Sequence, residues 1–323
     1  MPTRRAALGG IALASLVPRI GRAQSFPART ITIIVPYPAG GPTDLVARLI
    51  AEGAVADLRV SLVVDNRAGG SGVIGTAAAA RAEPDGHTLV LGTNQTHATN
   101  QSLIKNCPYD AVRDFAPVAG IADIQHVLVV RKDLPVTNAA DLVRLAQEKP
   151  GALNYGSTGN GSASHLAAEL FKVRTGTSMQ HVPFRGSAPM QQELVAGRLD
   201  LSIATLPSVI GQIEGGELKA LALASPRRAA RLPDVPTLHE AGIPGVEADA
   251  WLALFAPAAT PAAVTDRLHA AVRSAMGADA AATAIAKQGM SVALRSPAEV
   301  AGWLPGEVQK WAEVIRAANI ASE

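Results

Sequence analysis

The chain reads as an α/β protein in two lobes, each a mostly parallel sheet flanked by helices. Short β-branched apolar runs recur along it, amphipathic segments of helical period separate them, and 323 residues exceed one ordinary domain. Ile31, Ile33, Ile34 and Val35 open the series with a run suited to a strand covered on both faces. Pro36, Pro38, Gly40, Gly41 and Pro42 then forbid regular structure, and Thr43 is a good N-cap. Residues 44–57 place Leu45, Val46, Leu49 and Ile50 on one helical face. A strand at 60–64, a Gly-rich loop at 66–72, an Ala-rich helix at 73–83 and a strand at 87–91 follow, leading into a polar loop at 93–100. This is the spacing of βαβ units.

A second lobe begins at the apolar run 127–130. Helices are expected at 139–148, 163–173 and 188–196, with strands at 153–155, 180–183, 199–203 and 220–223. Residues 226–244 are Pro-rich and irregular. A last apolar strand at 251–255 precedes helices at 261–276, 279–288 and 297–318. The expected division is 24–125 with 251–323 as one lobe and 126–250 as the other, with crossings near 125–128 and 249–252.

The first 23 residues read as a cleaved export signal: Arg4 and Arg5, a modest apolar run, then Gly21-Arg22-Ala23. The paired arginines favour the twin-arginine route, with Sec the alternative. Cleavage removes four of the 29 basic residues and none of the 27 acids, so the mature balance is 25 against 27, or −2. No basic run with interleaved aromatics supports nucleic-acid binding. No later apolar stretch is long enough for a bilayer, and no cysteine offers a lipid anchor, which places the mature chain in the periplasm as a soluble protein. Cys107, the single cysteine, precedes Pro108 without a His-Asp pattern and reads as a spectator.

Two turns carry the chemistry. After 31–35, Gly40, Gly41 and Thr43 lift backbone N–H groups toward a positive helix terminus, where an anion can sit. No phosphate-loop lysine follows, which disfavours a nucleotide. Asp44 reads either as a partner for a cationic ligand group or as an acid answering the helix dipole. Residues 156–165 repeat the pattern, with Ser157, Thr158, Ser162 and Ser164 converging on a second helix mouth. That turn reads as a second carboxylate cradle or as a capped turn without a ligand. Two such turns in two lobes favour the cradle, with the N–H groups around Gly40–Thr43 and Gly161–Ser164 facing one cleft. Arg185, in a third cap-like turn, either pairs with a ligand acid or is an ordinary exposed arginine. His165 reads as a surface or satisfied core residue. No nucleophile elbow, His-x-x-x-His or assignable Ser-His-Asp set is present, so neither catalysis nor a metal or other cofactor is expected.

From about Phe26 to the C-terminus the chain resembles the Bug-type extracytoplasmic substrate-binding proteins of tripartite tricarboxylate transporters. The matching motifs are Val-Pro-Tyr-Pro-Ala-Gly-Gly-Pro-Thr-Asp at 35–44, Asp-Asn-Arg-Ala-Gly-Gly at 65–70 and Pro-Asp-Gly-His-Thr-Leu at 84–89. Tyr-Gly-Ser-Thr-Gly-Asn-Gly-Ser at 155–162 follows with His165-Leu166, then His-Val-Pro-Phe-Arg-Gly-Ser-Ala-Pro at 181–189 and Leu-Pro-Asp-Val-Pro-Thr at 232–237. The resemblance implies a Venus-flytrap fold of the type II-like periplasmic-binding-protein kind, with the C-terminal segment returning to the first lobe. It implies that Tyr37, Ala39 and their neighbours up to Thr43, with Thr93, Thr96 and His97, hold one end of a carboxylate, partly through water. Ser157 to Ser164, including Asn160 and Gly161, would hold the other. Relatives often carry Asn or Asp after the strand at 199–203; here Ala204 and Thr205 stand there, which leaves the ligand's identity open.

The expected function is capture of a small carboxylate, such as a di- or tricarboxylate, an amino acid or an aromatic acid, by a monomer without turnover. The partner is the membrane permease of such a transporter or a sensor protein. A secreted serine hydrolase is the rival, disfavoured by the missing base. A sugar binder is disfavoured by having three Trp, three Tyr and five Phe in the whole chain.

Overall fold

The computed structural model describes residues 26–184 and 186–320; the signal expected at 1–23 and Arg185 lie outside them. The chain opens with β1 (Ile31–Val35), α1 (Pro42–Gly53), α2 (Val55–Leu58) and β2 (Leu62–Asn66). A single 3-10 turn precedes α3 (Val73–Ala80) and β3 (Thr88–Thr93), and a π-helical turn (Gln95–Thr99) runs into α4 (Asn100–Leu103) and then β4 (Phe115–Ile124). The second unit holds β5 (His126–Arg131), α5 (Ala139–Glu148), β6 (Asn154–Ser157), α6 (Ala163–Thr175), β7 (Gln180–Pro183), α7 (Ser187–Val195), β8 (Leu201–Thr205), α8 (Leu206–Glu214) and β9 (Leu218–Leu223). The chain returns through β10 (Ala250–Pro257), α9 (Ala262–Met276), α10 (Asp279–Lys287), β11 (Ser291–Arg295) and α11 (Pro297–Ala317).

Two mixed sheets result, ordered β11-β4-β10-β3-β1-β2 and β7-β6-β8-β5-β9. β2, β1 and β3 pair in parallel, while β10 runs antiparallel to both β3 and β4. In the other sheet β7, β6 and β8 are parallel, and β5 runs against β8 and β9. The reversed strands are the ones adjoining each passage between sheets, at Gln125 and before Ala250, together with β11.

Alternate residues of the central strands enter different cores, as a sheet covered on both faces requires. Ile31, Ile33 and Val35 pack with Leu89, Leu91, Leu252 and Leu254 beneath α1 and α9. Ile34, Val90, Trp251 and Phe255 face the other way, into a core shared with Trp311 of α11, Tyr155 of β6 and Leu166 and Phe171 of α6. A capping box starts α11: Ser296 Oγ accepts from the Glu299 N–H, and the Ser296 N–H donates to Glu299 Oε2.

β4, β11 and α8 escaped the sequence reading, and the second strand lies at 62–66 rather than 60–64. The sequence of β4 is diluted by Ala116, Pro117 and Gly120, and its pairing with β10 shifts register twice. Gly120 is where β11 crosses closely, since a Cβ there would lie 2.8 Å from Arg295 Cβ. The polar loop expected at 93–100 begins as the last residue of β3 and continues as the π-helical turn.

Candidate functional site

The first turn is held shut from within. Asp44 is buried, and its carboxylate accepts from the Gly40 N–H (2.9 Å), from Asn66 Nδ2 (3.0 Å) and from Arg48 through Nε and Nη2 (3.0 and 3.1 Å). The Arg48 guanidinium holds the carboxyl below the usual Asp range, with Gly40 and Asn66 adding to it against the cost of burial. Asp44 is therefore the staple of the turn and not a ligand-facing charge. The Gly40 N–H, expected to face the cleft, is spent on it. Gly40 has φ +85, so glycine is required there, whereas Gly41 sits in extended backbone with open space around its Cα. Gly41, not Thr43, is the N-cap of α1, because Pro42 takes the first helical position; no side chain caps the helix, and the N–H groups of its first turn, Thr43 among them, have no intrahelical acceptors.

Tyr37 joins this turn to the next segment. Its hydroxyl lies 2.8 Å from Thr93 Oγ1 and donates to Gln95 Oε1 (3.2 Å), and burial pushes its pKa up to about 12, so it stays a neutral donor. Thr93 and Thr96 are buried and mutually bonded, with the Thr93 N–H donating to Thr96 Oγ1 at 3.0 Å. His97 is fully buried, stacked on Phe255 with centroids 4.1 Å apart, and its Nδ1 meets Thr96 Oγ1 at 2.9 Å. Burial lowers it to about 3. Thr96 and His97 thus brace the segment from the core side; Ala39 and Gly40 are exposed.

The second turn is a web of hydroxyls and imidazoles. Ser162 caps α6, accepting from the His165 N–H (3.3 Å) and donating to the Gly159 carbonyl (2.7 Å). Ser164 Oγ accepts from the Thr158 N–H (2.9 Å) and lies 3.2 Å from Thr158 Oγ1 and 3.1 Å from Ser162 Oγ. Ser157 is buried, with Oγ 2.6 Å from His181 Nε2. The Gly161 N–H donates to His165 Nδ1 at 3.0 Å. As with Gly40, an N–H expected to face the cleft is turned inward.

The second turn approaches the 95–104 segment, which Tyr37 ties to the first turn through Gln95; no residue of 36–43 itself lines the gap between them. Ser71, Gln95, Asn100, Leu103 and Ile104 from the first unit and Asn160 and Gly161 from the second enclose a gap of about 10 Å³, room for about one water. A Cβ on Gly161 would lie 2.7 Å from Leu103 Cδ1. Thr205 ends β8 beside the passage between sheets and faces His126 in the ladder, with its carbonyl accepting from Ser208 Oγ at 2.7 Å; no contact brings it to the two turns. Gln95, Asn66 and Asn100 were missed by sequence reasoning. Asn66 stands in the Asp-Asn-Arg motif and Gln95 within the polar segment, so their positions were visible although their bonds were not.

A roomier cavity of about 300 Å³ opens at the passage between the sheets, lined by Asp123, Glu247, Asp249, Glu307, Arg295 and Lys310 with Trp251 and Trp303. Its carboxylates outnumber its cations, which makes it a poor host for an anion. Among the described residues no helix is long and apolar enough to cross a membrane.

Comparison with known proteins places the chain in a family. Residues 46–320 match the family TctC, described as the tripartite tricarboxylate transporter family receptor. BugT of Bordetella pertussis is 36% identical over 295 residues, which is 91% of this chain and 90% of that one. A protein from the tcbD-tcbE intergenic region of Pseudomonas sp. (strain P51) is 38% identical over 97% of this chain and 94% of its own length. Among solved structures, an R. palustris protein with adipate superposes with TM-score 0.76 at 38% identity, covering 92% of this chain and all of that one. MatC from Rhodopseudomonas palustris with bound malate gives 0.73 at 33%, covering 90% of this chain and all of that one. The two-lobed α/β architecture is thus that of periplasmic binding proteins, and the family is one of receptors, not enzymes. This chain belongs to the tripartite tricarboxylate transporter receptor family.

Proposed function

We propose that the protein is an exported receptor that captures a small carboxylate between the turns 36–43 and 157–164 and delivers it to a membrane permease of the tripartite tricarboxylate type. The observation that carries this reading is the second helix mouth, rich in Gly and hydroxyls, meeting Gln95 and Asn100 across one polar gap, with the first mouth tied to the same gap by the Tyr37–Gln95 bond. Each mouth offers the unpaired N–H groups of a first helical turn. Tyr37, Thr43, Thr158, Ser162 and Ser164 add neutral donors, and Asn160 stands exposed at the gap. Such donors bind a carboxylate through charge-assisted bonds without a counter-cation.

Residues 24–125 with 251–323 form one lobe in this reading and 126–250 the other. Parting of the lobes admits the ligand, since the gap as it stands is far smaller than a dicarboxylate. The mature monomer works in the periplasm after export through the twin-arginine route. Relatives solved with adipate and malate make aliphatic dicarboxylates the first candidates. The hydrolase alternative gains a Ser157–His181 contact, but Ser157 is fully buried, so its hydroxyl has no access to an ester.

A thermal-shift screen of di- and tricarboxylates, amino acids and aromatic acids tests the reading. A true ligand at 100 times its Kd adds about 2.7 kcal/mol of stability. At least one carboxylate is expected to raise the midpoint while its dimethyl ester does not. A screen in which no acid acts, or in which acid and ester act alike, contradicts the proposal.

A further inference from the structure

Beneath the second turn lies a column of rings, Tyr155 and His165 buried and His181 half-buried, that the binding reading does not itself use. His165 and His181 stack with centroids 3.8 Å apart and planes 5° from parallel, and Tyr155 stacks on His181 at 4.9 Å and 16°. The parallel ladder between β6 and β7 makes this column, since it sets Tyr155 directly beside His181, while the first turn of α6 brings His165 over the pair. Each imidazole also reaches the ligand turn. His165 Nδ1 accepts from the Gly161 N–H at 3.0 Å, and His181 Nε2 lies 2.6 Å from Ser157 Oγ. A backbone N–H can only donate, so Nδ1 of His165 must be bare and its proton must sit on Nε2, which faces Glu169 Oε1 at 4.0 Å.

The surroundings keep that state. Tyr155, Glu169 and Lys172 are the titratable groups that the described residues place against the two rings. The Tyr155 hydroxyl donates to Glu169 Oε1, and Lys172 Nζ donates to the same oxygen at 2.7 Å. The acid and the lysine already balance, so a charge on either ring would be an uncompensated cation in a buried site, stacked on a second imidazole. Burial lowers both histidines; His181 and then Lys172 add to the effect at His165, while at His181 Glu169 opposes it and Lys172 adds to it.

We propose that His165 and His181 are positioning residues of the carboxylate site, whose uncharged rings fix the Gly161 peptide and the Ser157 hydroxyl and so set the shape of the turn that holds the anion. This rests on the reading of that turn as one end of the ligand site. The consequence is a specific tautomer requirement: an acceptor must stand where Nδ1 of His165 stands. Protonation or loss of that acceptor frees the Gly161 peptide to rotate, although Ser162 and the capped helix remain.

Asparagine places Oδ1 near the position of a histidine Nδ1, and leucine places nothing polar there. Calorimetry with the tightest acid among adipate, malate and the rest of the panel should therefore find Kd for His165→Asn within about threefold of the unaltered protein, and Kd for His165→Leu raised at least tenfold. Both variants lose the stack, so a purely packing role would weaken both equally. Equal losses, or none in His165→Leu, overturn the inference while leaving the carboxylate reading intact. If the unaltered protein binds no acid of the panel, the carboxylate reading fails and this one with it. Nitrogen NMR of histidine-labelled, unaltered protein checks the geometry without any variant. A bare Nδ1 and protonated Nε2 on His165 from pH 8 to pH 5 are expected, and an Nδ1–H tautomer or an imidazolium at pH 7 overturns the proposal.

Discussion

The two turns solve one problem with different chemistry. At 36–43 a charged carboxylate, Asp44, gathers the Gly40 N–H, the Asn66 amide and the Arg48 guanidinium, and Arg48 is half exposed. At 157–164 neutral imidazoles and hydroxyls do the gathering, with Ser157, Ser164 and His165 buried and His181 half-buried. The first device tolerates neutral pH and acid down to the range where Asp44 protonates. The second depends on histidines remaining uncharged. Glycine at positive φ is common to both, at Gly40 and Gly161, and in both the inward N–H is what the device holds.

The largest expected effect is a pH dependence of the whole fold, to which the second turn contributes through His165. His97, His126 and His165 are buried and lowered to about 3, 4 and 3. Once unfolded, each takes up a proton near pH 6.5. Below that pH the unfolded chain binds more protons than the native one, so native stability falls with pH, by up to about 1.4 kcal/mol per pH unit for each histidine. Asp249, raised to about 7 by burial, works in the opposite sense between pH 7 and its unfolded value. Three against one leaves a net loss. Urea unfolding at pH 7.5, 6.5 and 5.5 should show the midpoint falling, and less steeply in His165→Asn. A midpoint that holds or rises toward pH 5.5 contradicts the buried neutral state.

Breaking the first device comes next. Asp44→Ala strips one acceptor from Gly40, Asn66 and Arg48 together, and a loss of about 1.5–3 kcal/mol is expected, since the bonds are to a charged group. The same chain should lose carboxylate affinity as the turn loosens. Denaturant midpoints and calorimetry read both. Stability within about 0.5 kcal/mol of the parent would show the staple to be redundant.

Smaller and matched effects are expected from single hydroxyls. Tyr37→Phe removes the bonds to Thr93 and Gln95, and Ser162→Ala removes the cap of α6. Each should cost about 1 kcal/mol of stability. If Ser162→Ala costs several times more than Tyr37→Phe, the second turn is less redundant than its web of serines indicates.

Much of this was legible in the sequence. The strand 31–35, both Gly-rich turns and the helix starts at 163 and 297 follow from β-branched runs, Gly/Pro punctuation and helical periodicity, whereas the cap read at Thr43 lies at Gly41 because Pro42 opens the helix. The role of Asp44 was left between two local readings, because its partners Asn66 and Gly40 meet it only once β2 lies beside β1. The column of Tyr155, His181 and His165 was invisible for the same reason: it exists through the β6–β7 register, which no local pattern encodes. β4 was lost because Ala, Gly and Pro can pair in a bulged strand while giving no alternation to read.

Gly41 offers the most direct test of the central claim, that a carboxylate sits against these backbone N–H groups. Its φ is −83 and the nearest atom to an added Cβ is the Pro38 carbonyl oxygen at 3.8 Å, so the fold has room for a side chain at a position the proposal gives to the ligand. Calorimetry of Gly41→Val beside the unaltered protein, with the best acid from the panel, should show a chain that still unfolds cooperatively, destabilised by no more than about 1 kcal/mol for the poorer N-cap, and a Kd raised at least tenfold. Equal affinity in a folded Gly41→Val would contradict the account and remove the first turn from the site.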